Sequence, residues 1–327
     1  MDTLAPQRVW TLSKNELLGL LESGRLSSRK ITFYTPSFSF YRNSEQFHGD
    51  RFPTISVTGR TCPLNCKHCG GRVLTTMHSA ETPEQLFALA ERLKTSGAVG
   101  CLVSGGCLPD GSVPLEKFTR VLGKIKRELE MTVTVHTGIV SQETANALKD
   151  AGVDAALIDI VGCDATLKNV FNLKISVDRI EDSMRALSLA GLNFVPHVIV
   201  GLQEGALQGE FDALRMISHF RPSALVVIAF MPIRGTAMEN VRPPSPIDIA
   251  RVLASARVMF PATPLALGCM RPKAKHRIET DLLALKAGVD AMAFPSEQAV
   301  KYAANSGHGV AYSPYCCSQI YTNEASK

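Results

Sequence analysis

Residues 55–74 read ISVTGRTCPLNCKHCGGRVL. A short apolar run at 55–58 opens into a loop with three cysteines, spaced Cys62-x3-Cys66-x2-Cys69. The run is the first of eight. Further strands are expected at 101–103 (CLV), 133–136 (VTVH), 155–159 (AALID), 194–200 (FVPHVIV), 224–230 (ALVVIAF), 265–268 (LALG) and 291–294 (AMAF). Helical patterns fall between them, near 82–96, 114–129, 141–151, 178–190, 209–220, 245–260 and 277–287, with a last one at 296–305. Short apolar strands alternating with helices make parallel βα units. Eight units favour a TIM-type (β/α)8 barrel over the rival α/β fold, a doubly wound open sheet. Ahead of them, residues 13–24 (SKNELLGLLESG) read as a short amphipathic helix with Ser13 as N-cap and Gly24 as stop. Residues 1–50 are then an N-terminal extension packing on the barrel, 51–305 the barrel, and 306–327 a Gly-, Ser- and Tyr-containing tail.

Composition narrows the function classes. The 327 residues are 45% hydrophobic and 20% charged, ordinary for a globular chain. The formal charge of +5 is mild, and Lys and Arg are scattered along the sequence, which gives no support for nucleic-acid binding. The N-terminus, MDTLAPQRVWTLSKNELLGLL, lacks the basic start and continuous apolar run of a secretory signal. No stretch reaches the ~20 apolar residues of a membrane span. A cytoplasmic protein without a membrane or nucleic-acid partner is expected. Nine cysteines is a high and odd count, and the spacing is not that of a disulfide framework. Without an export signal, such cysteines more often bind metal or do chemistry.

Three thiolates on one short loop can each take a corner of an iron–sulfur cube. The fourth iron is then left without a protein ligand, open to a small molecule. Zinc is the rival. It usually takes four ligands, commonly from paired C-x2-C knuckles, and no second knuckle is present; His68 could be the fourth ligand, though adjacent positions in so tight a loop make poor tetrahedral geometry. A third reading, unligated core cysteines, is disfavoured by the flanking Pro63, Asn65, Lys67 and Gly70. The loop sits at the C-terminal end of a strand, where barrel active sites lie.

With this motif the chain resembles the radical S-adenosylmethionine (SAM) superfamily over about residues 50–300. The resemblance implies an enzyme whose catalytic cysteines, Cys62, Cys66 and Cys69, hold a [4Fe–4S] cluster. Its open iron would chelate the amino and carboxylate groups of SAM, and one electron would cleave the sulfonium to methionine and a 5′-deoxyadenosyl radical. It also implies cofactor contacts. His68, before the third cysteine, would pack on the adenine, and the turn Ser104-Gly105-Gly106-Cys107 would meet the methionine end of SAM through its backbone. The same turn could be an ordinary βα connection, and Cys107 stands where the family often has Glu. Asp159, ending its strand, could bond the ribose hydroxyls or cap the next turn. His136 and His197 could face the cofactor or be hydrogen-bonded core residues. Cys163 reads equally as a buried free thiol.

The later segments are similar to the biotin synthase branch. They are Val198-Ile199-Val200-Gly201-Leu202-Gln203-Glu204, which puts Gly201 among the cofactor contacts, then FMPIRGT at 230–236 and Gly268-Cys269-Met270-Arg271-Pro272. Arg271 could pair the SAM carboxylate, ligate a second cluster, bind substrate or form a surface salt bridge. Biotin synthase holds a second cluster on three cysteines and one arginine; Cys101 matches one position, but His136, Val195, Pro196 and His197 leave the set incomplete. The stretches ITFYTPSFSFY (31–41), HCGGRVL (68–74) and LGCMRP (267–272) look like the archaeal-type, two-protein lipoyl synthases. That likeness implies C–H abstraction and sulfur insertion on an octanoylated lipoyl-carrier protein or peptide, a second radical SAM protein and a reductant protein as partners. Sulfur insertion calls for a sulfide source. A second iron–sulfur cluster is therefore expected, drawn from Cys101 or Cys107, Cys269, and Cys316 or Cys317, with the tail folded across the barrel mouth as a lid. Scattered thiols in a reducing compartment are the rival. Rival functions are a biotin-synthase-like enzyme or maturase with another substrate, and an iron–sulfur electron carrier.

Overall fold

The computed structural model describes residues 4–35 and 51–322; residues 36–41 of the aromatic approach at 31–41 therefore lie outside the described residues. Among these residues one sheet holds eleven strands: β1 (Lys30–Tyr34), β2 (Thr54–Ser56), β3 (His78–Ser79), β4 (Gly100–Ser104), β5 (Thr132–His136), β6 (Ala155–Ile160), β7 (Phe194–Val200), β8 (Leu225–Ala229), β9 (Leu265–Leu267), β10 (Ala291–Ala293) and β11 (Gly309–Ser313). The order is β11-β1-β10-β9-β8-β7-β6-β5-β4-β2-β3. Every neighbouring pair is parallel. All eight expected strands are present, as β2 and β4 to β10.

Helices cross between the strands. The first two, α1 (Pro6–Thr11) and α2 (Lys14–Glu22), precede the sheet. Then come α3 (Pro83–Thr95), α4 (Thr119–Leu129), α5 (Gln142–Asp150), α6 (Asp164–Asn169), α7 (Asp178–Leu189), α8 (Glu210–Ser218), α9 (Pro246–Met259), α10 (Ala274–Lys286) and α11 (Glu297–Asn305). Local chemistry sets their ends. Ser13 Oγ accepts the Glu16 N–H (3.3 Å) and Glu16 accepts the Ser13 N–H (2.8 Å), a capping box that starts α2. Gly24, with φ of 69°, turns the chain away after it. Helix α2 packs on α9 and α10, and α1 on α9. No described helix is long and apolar enough to cross a membrane.

The architecture is a TIM-type barrel left open. Strand β10 pairs with β1, in register Thr32↔Ala291 and Tyr34↔Ala293, where a closed eight-stranded ring would return to β2. Strand β11 then extends the sheet beyond β1. No ladder joins β3 to β11 among the described residues. Side chains bridge the gap: Phe52, before β2, meets Tyr315, past β11, at 6.1 Å between ring centroids.

Alternation along the strands sorts side chains onto two faces. Outward residues such as Cys101, Val103, Val133 and Ile158 pack beneath the helices. Inward residues form a second cluster, and five of them are alanines, at 155, 224, 266, 291 and 293. Bulky branched residues usually fill such a barrel. Here the alanines leave room that the tail occupies. Tyr315, Cys316, Cys317, Ile320 and Tyr321 join the inner cluster, and the turn Cys317–Gln319 packs on β8, β9 and β10. Tyr321 donates its hydroxyl to the carbonyl of Asp154 (2.9 Å), just before β6 begins. The expected lid across the mouth is thus corrected: the tail descends inside the barrel toward the N-terminal ends of the strands and forms a floor.

Candidate active site

The three-cysteine loop follows β2 and is built by local backbone bonds. Cys69 and Gly70 both donate N–H groups to the carbonyl of Cys66 (3.2 and 2.7 Å), and Asn65 donates to Cys62 (3.2 Å). Asn65, Gly70 and Gly71 take positive φ (45°, 52° and 69°), which lets the loop double back within a few residues. Two neighbouring loops clamp it. Lys67 donates its N–H to Val170 O (2.8 Å), and Asn172 Nδ2 donates to the carbonyls of Leu64 (2.9 Å) and Asn65 (3.0 Å). From the loop after β8, Gly235 O accepts Arg72 Nε (3.1 Å). The Cys66 thiol lies 3.4 Å from Phe171 O.

Cys66 and Cys69 are buried and Cys62 is half-buried, and all nine cysteines are free thiols. The ligand atoms of Cys66, His68 and Cys69 lie within 4.8 Å of one another. A hydrogen bond from the Cys66 thiol holds Cys69 well below the usual thiol range, against the opposing effect of burial; the His68 ring also lowers it. That bond, burial and the neighbouring sulfur charges push Cys66 up. Burial, with Cys62 and Asp159 nearby, pushes Cys107 up to about 12. Cys107 therefore lies near Cys62 and Cys69.

The expected cofactor residues take distinct places. The His68 ring lies 5.0 Å from Phe171, and its buried Nδ1 has no hydrogen-bond partner. Ser104 Oγ donates to His136 O (3.3 Å). The expectation for Gly106 is corrected: a Cβ there would stand 2.1 Å from Thr61 O and 2.7 Å from Cys62 Cα. That glycine lets the cysteine loop settle on the β4 turn, and its N–H is taken by Thr58 Oγ1 (2.6 Å). A Cβ on Gly105 would press on Thr58 at 3.1 Å. Gly201, with φ of 79°, gives its N–H to the buried Glu210 carboxylate (2.8 Å), so that donor is not free for a cofactor.

A polar group stands in the barrel interior. His136 Nε2 and Asp159 Oδ1 are 3.4 Å apart, and His197 lies 5.9 Å from His136 between ring centroids. Burial works to lower the His136 pKa, but the Asp159 carboxylate outweighs it and leaves it raised. Burial likewise opposes ionisation of Asp159, and His136 nevertheless holds its pKa below the usual value. His197, bonded through Nδ1 to Val195 O (3.0 Å), is pushed down to about 4 by burial.

Two further expectations change. Arg271 is fully buried: Nε donates to Asp281 Oδ1 (2.8 Å), Nη1 to Gly268 O (2.6 Å) and Nη2 to Phe294 O (3.2 Å). Its donors are committed to the fold, not to SAM, substrate or a second cluster. Cys101 is fully buried on the outer face of β4 beneath the helices, so it cannot join a ligand set inside the barrel. Cys269, Cys316 and Cys317 do come near one another: a side-chain hydrogen bond to Cys316, then burial and the Cys316 and Cys269 charges, push Cys317 up, and desolvation of its sulfur and then the Cys316 charge raise Cys269, although that residue is exposed. Cys163 lies apart, accepting from Gln208 Nε2 (3.4 Å). Sequence reasoning missed Phe171 and Asn172, whose signal was an asparagine just past a short helix; it sits at φ of 58°.

Residues 56–205 match the family model of the radical SAM superfamily. Biotin synthase of Neorickettsia sennetsu is 24% identical over 274 residues, 78% of this chain and 82% of that protein. Biotin synthase of Prochlorococcus marinus is 23% identical over 296 residues, 87% of this chain and 84% of its own. Methylornithine synthase (PylB) aligns with a TM-score of 0.62 at 17% identity, over 89% of this chain and 82% of that structure. HydG, a maturase of the [FeFe]-hydrogenase, aligns at 0.65 and 17%, over 89% of this chain and 65% of its own. These structural likenesses establish the fold alone. Residues 56–205 thus carry the likeness to the radical SAM superfamily. Over most of its length the chain is similar to biotin synthases. The radical SAM likeness implies a [4Fe–4S] cluster and SAM. The donor set fits: three thiols on one clamped loop, one of them shifted toward thiolate, beside a half-buried imidazole whose buried Nδ1 is unused.

Proposed function

We propose that this enzyme inserts sulfur at an unactivated carbon, acting in the cytoplasm on an octanoyl chain held by a lipoyl-carrier protein or peptide. A second radical SAM protein would share the two insertions, and a reductant protein would supply electrons. The observation that carries the reading is the group of extra thiols: Cys316 and Cys317 in the inner cluster, with the exposed Cys269 near them. When bound to Cys62, Cys66 and Cys69, the cluster with SAM supplies a hydrogen-abstracting radical. The chain's own residues do the rest. The clamped loop fixes the cluster's orientation, His68 offers a flat face beside Phe171, and the Asp159–His136 pair presents a charged, hydrogen-bonding wall. The inner alanines and the tail form an apolar floor suited to an alkyl chain. A second iron–sulfur cluster on the extra thiols would be the sulfur source.

The test is anaerobic turnover with an octanoylated carrier peptide, alone and with a partner radical SAM protein, read by mass. A gain of one or two sulfurs is expected. No gain in either mixture, while SAM is still cleaved, overturns sulfur insertion and leaves a biotin-synthase-like or maturase reaction on another substrate.

A further inference from the structure

We infer that Tyr34 is a positioning residue for the sulfur source: its hydroxyl donates a hydrogen bond to a sulfide of the iron–sulfur group proposed for Cys269, Cys316 and Cys317. The inference rests on that reading of the three thiols. Tyr34 is fully buried, and among the described residues its Oη has no hydrogen-bond partner. Its backbone carbonyl, by contrast, accepts the Phe294 N–H (2.8 Å). A buried hydroxyl left unpaired costs free energy that the same ring without oxygen does not incur. Such a group in a folded protein points to an acceptor brought from outside the chain.

The fold sets that hydroxyl beside the tail. Strand β1 runs between β10 and β11, and Tyr34 lies in register with Ala293 on one side and Ser313 on the other. Ser313 ends β11, and its Oγ accepts the Tyr315 N–H (3.3 Å), so the tail leaves the sheet next to Tyr34. Cys316 and Cys317 then pack in the same inner cluster as the Tyr34 ring. Burial keeps the hydroxyl protonated, and the charges of Cys317 and then Cys316 act in the same direction, which puts both sulfurs near it. Apart from the thiols and two further tyrosines, the side chains of that cluster are apolar. Of those tyrosines, Tyr321 gives its hydroxyl to the Asp154 carbonyl. Ser318 Oγ already donates to Cys316 Sγ (3.1 Å), so hydroxyl donors serve the sulfurs gathered here. A donor at a cluster sulfide draws negative charge from it and favours the reduced state. No bond of Tyr34 itself forms or breaks.

The test uses the full chain with Cys62, Cys66 and Cys69 replaced by Ala, reconstituted anaerobically with iron and sulfide, so that the motif cluster does not mask the tail group. Tyr34→Phe should keep the iron and shift the oxidised-to-reduced ratio about tenfold toward the oxidised form. For one electron that is a midpoint about 59 mV lower, read by an EPR-monitored redox titration. The D2O shift of the iron–sulfur stretching bands in resonance Raman spectra should shrink in the same variant. Without iron, Tyr34→Phe should unfold at the urea concentration of its background or above it; with iron, below it. Tyr312→Phe, whose ring packs on Phe33 in the outer core, should change none of these. An unchanged potential in iron-loaded Tyr34→Phe overturns the inference and leaves the tail thiols as ligands. Destabilisation of the iron-free protein by Tyr34→Phe overturns it too, since the hydroxyl then serves the fold. A background that retains no iron overturns the reading of the tail thiols, and this inference with it.

Discussion

Arg271 lies in a stretch where a cofactor ligand was plausible, and the structure gives it a different task. Its guanidinium and the Asp281 carboxylate are both fully buried and joined at 2.8 Å. Two more donors serve the carbonyls of Gly268 and Phe294, and Asp281 Oδ2 also accepts the Ser296 N–H (2.7 Å). The fork thus ties the end of β9 to the loop after β10 and to α10. Arg271→Met would leave Asp281 charged and unpaired in the interior, which costs about 3–5 kcal/mol. The two carbonyls lose a donor at about 1 kcal/mol each, partly regained by relaxation. Against a total of ~5–15 kcal/mol, the variant sits close to unfolding. Arg271→Lys should fall between, since one ammonium cannot reproduce a planar three-way fork. Anaerobic urea unfolding followed by circular dichroism, with SAM affinity by equilibrium dialysis, checks this. The reasoning is refuted if Arg271→Met unfolds within ~1 kcal/mol of the parent, the ordinary range of surface changes. It is refuted equally if SAM binding weakens while stability holds.

Gly106→Val should strip the protein of iron as well as SAM, because the new side chain meets the backbone of Thr61 and Cys62; absorbance and iron analysis of reconstituted protein would read this, and normal iron content would contradict it. Cys101→Ala should keep full cluster content and lose only about 1–2 kcal/mol of packing, measured by thermal or urea unfolding. Asp159→Asn should lower the His136 pKa, since burial is then opposed only by the smaller effect of the Cys316 charge; an NMR titration of ring nitrogens tests it. In the parent, the charged His136 ring stabilises the fold fully below pH 6.5 and loses that contribution as pH rises through its raised folded pKa. Asp159 acts oppositely, contributing above its ordinary value of 3.8 and losing it as pH falls through the lowered one. In protein lacking Cys62, Cys66 and Cys69, Cys316→Ala should remove residual iron while Cys317→Ala keeps it, because Cys316 is half-buried whereas Cys317 is buried in the inner apolar cluster.

The eight core strands were legible because strands buried on both faces read as unbroken apolar runs. Strands β1 and β11 were not: KITFY and GVAYS are short, mixed runs whose pairing with each other depends on contacts some 280 residues apart. The motif cysteines were legible from spacing alone. The facing of Cys101 was not, since a shift of one residue along a strand moves a side chain to the other side of the sheet. Arg271 could not be read because its partners, Asp281 and Phe294, come from a helix and a loop further along the chain. Gly106 carried the right residue type for a close approach, but the approaching group is the chain's own loop.

The inner surface divides along the strands, and the division decides where chemistry can occur. Toward their C-terminal ends β5 and β6 present His136 and Asp159; toward their beginnings the inner face is Ala155, Leu157, Ala224 and Val226 with the tail packed against it. Charged groups that keep a quarter or more of their side-chain surface accessible, as His136 (25%) and Asp159 (30%) do, require water or a polar ligand beside them. The sealed apolar half offers neither. Under the proposed function, an alkyl chain would lie above the tail with its reacting carbon near the cysteine loop, displacing water that could quench a radical. The alanines thus connect the two halves of the design. By leaving space for the tail they let it pack against the inner face of the strands below His136 and Asp159.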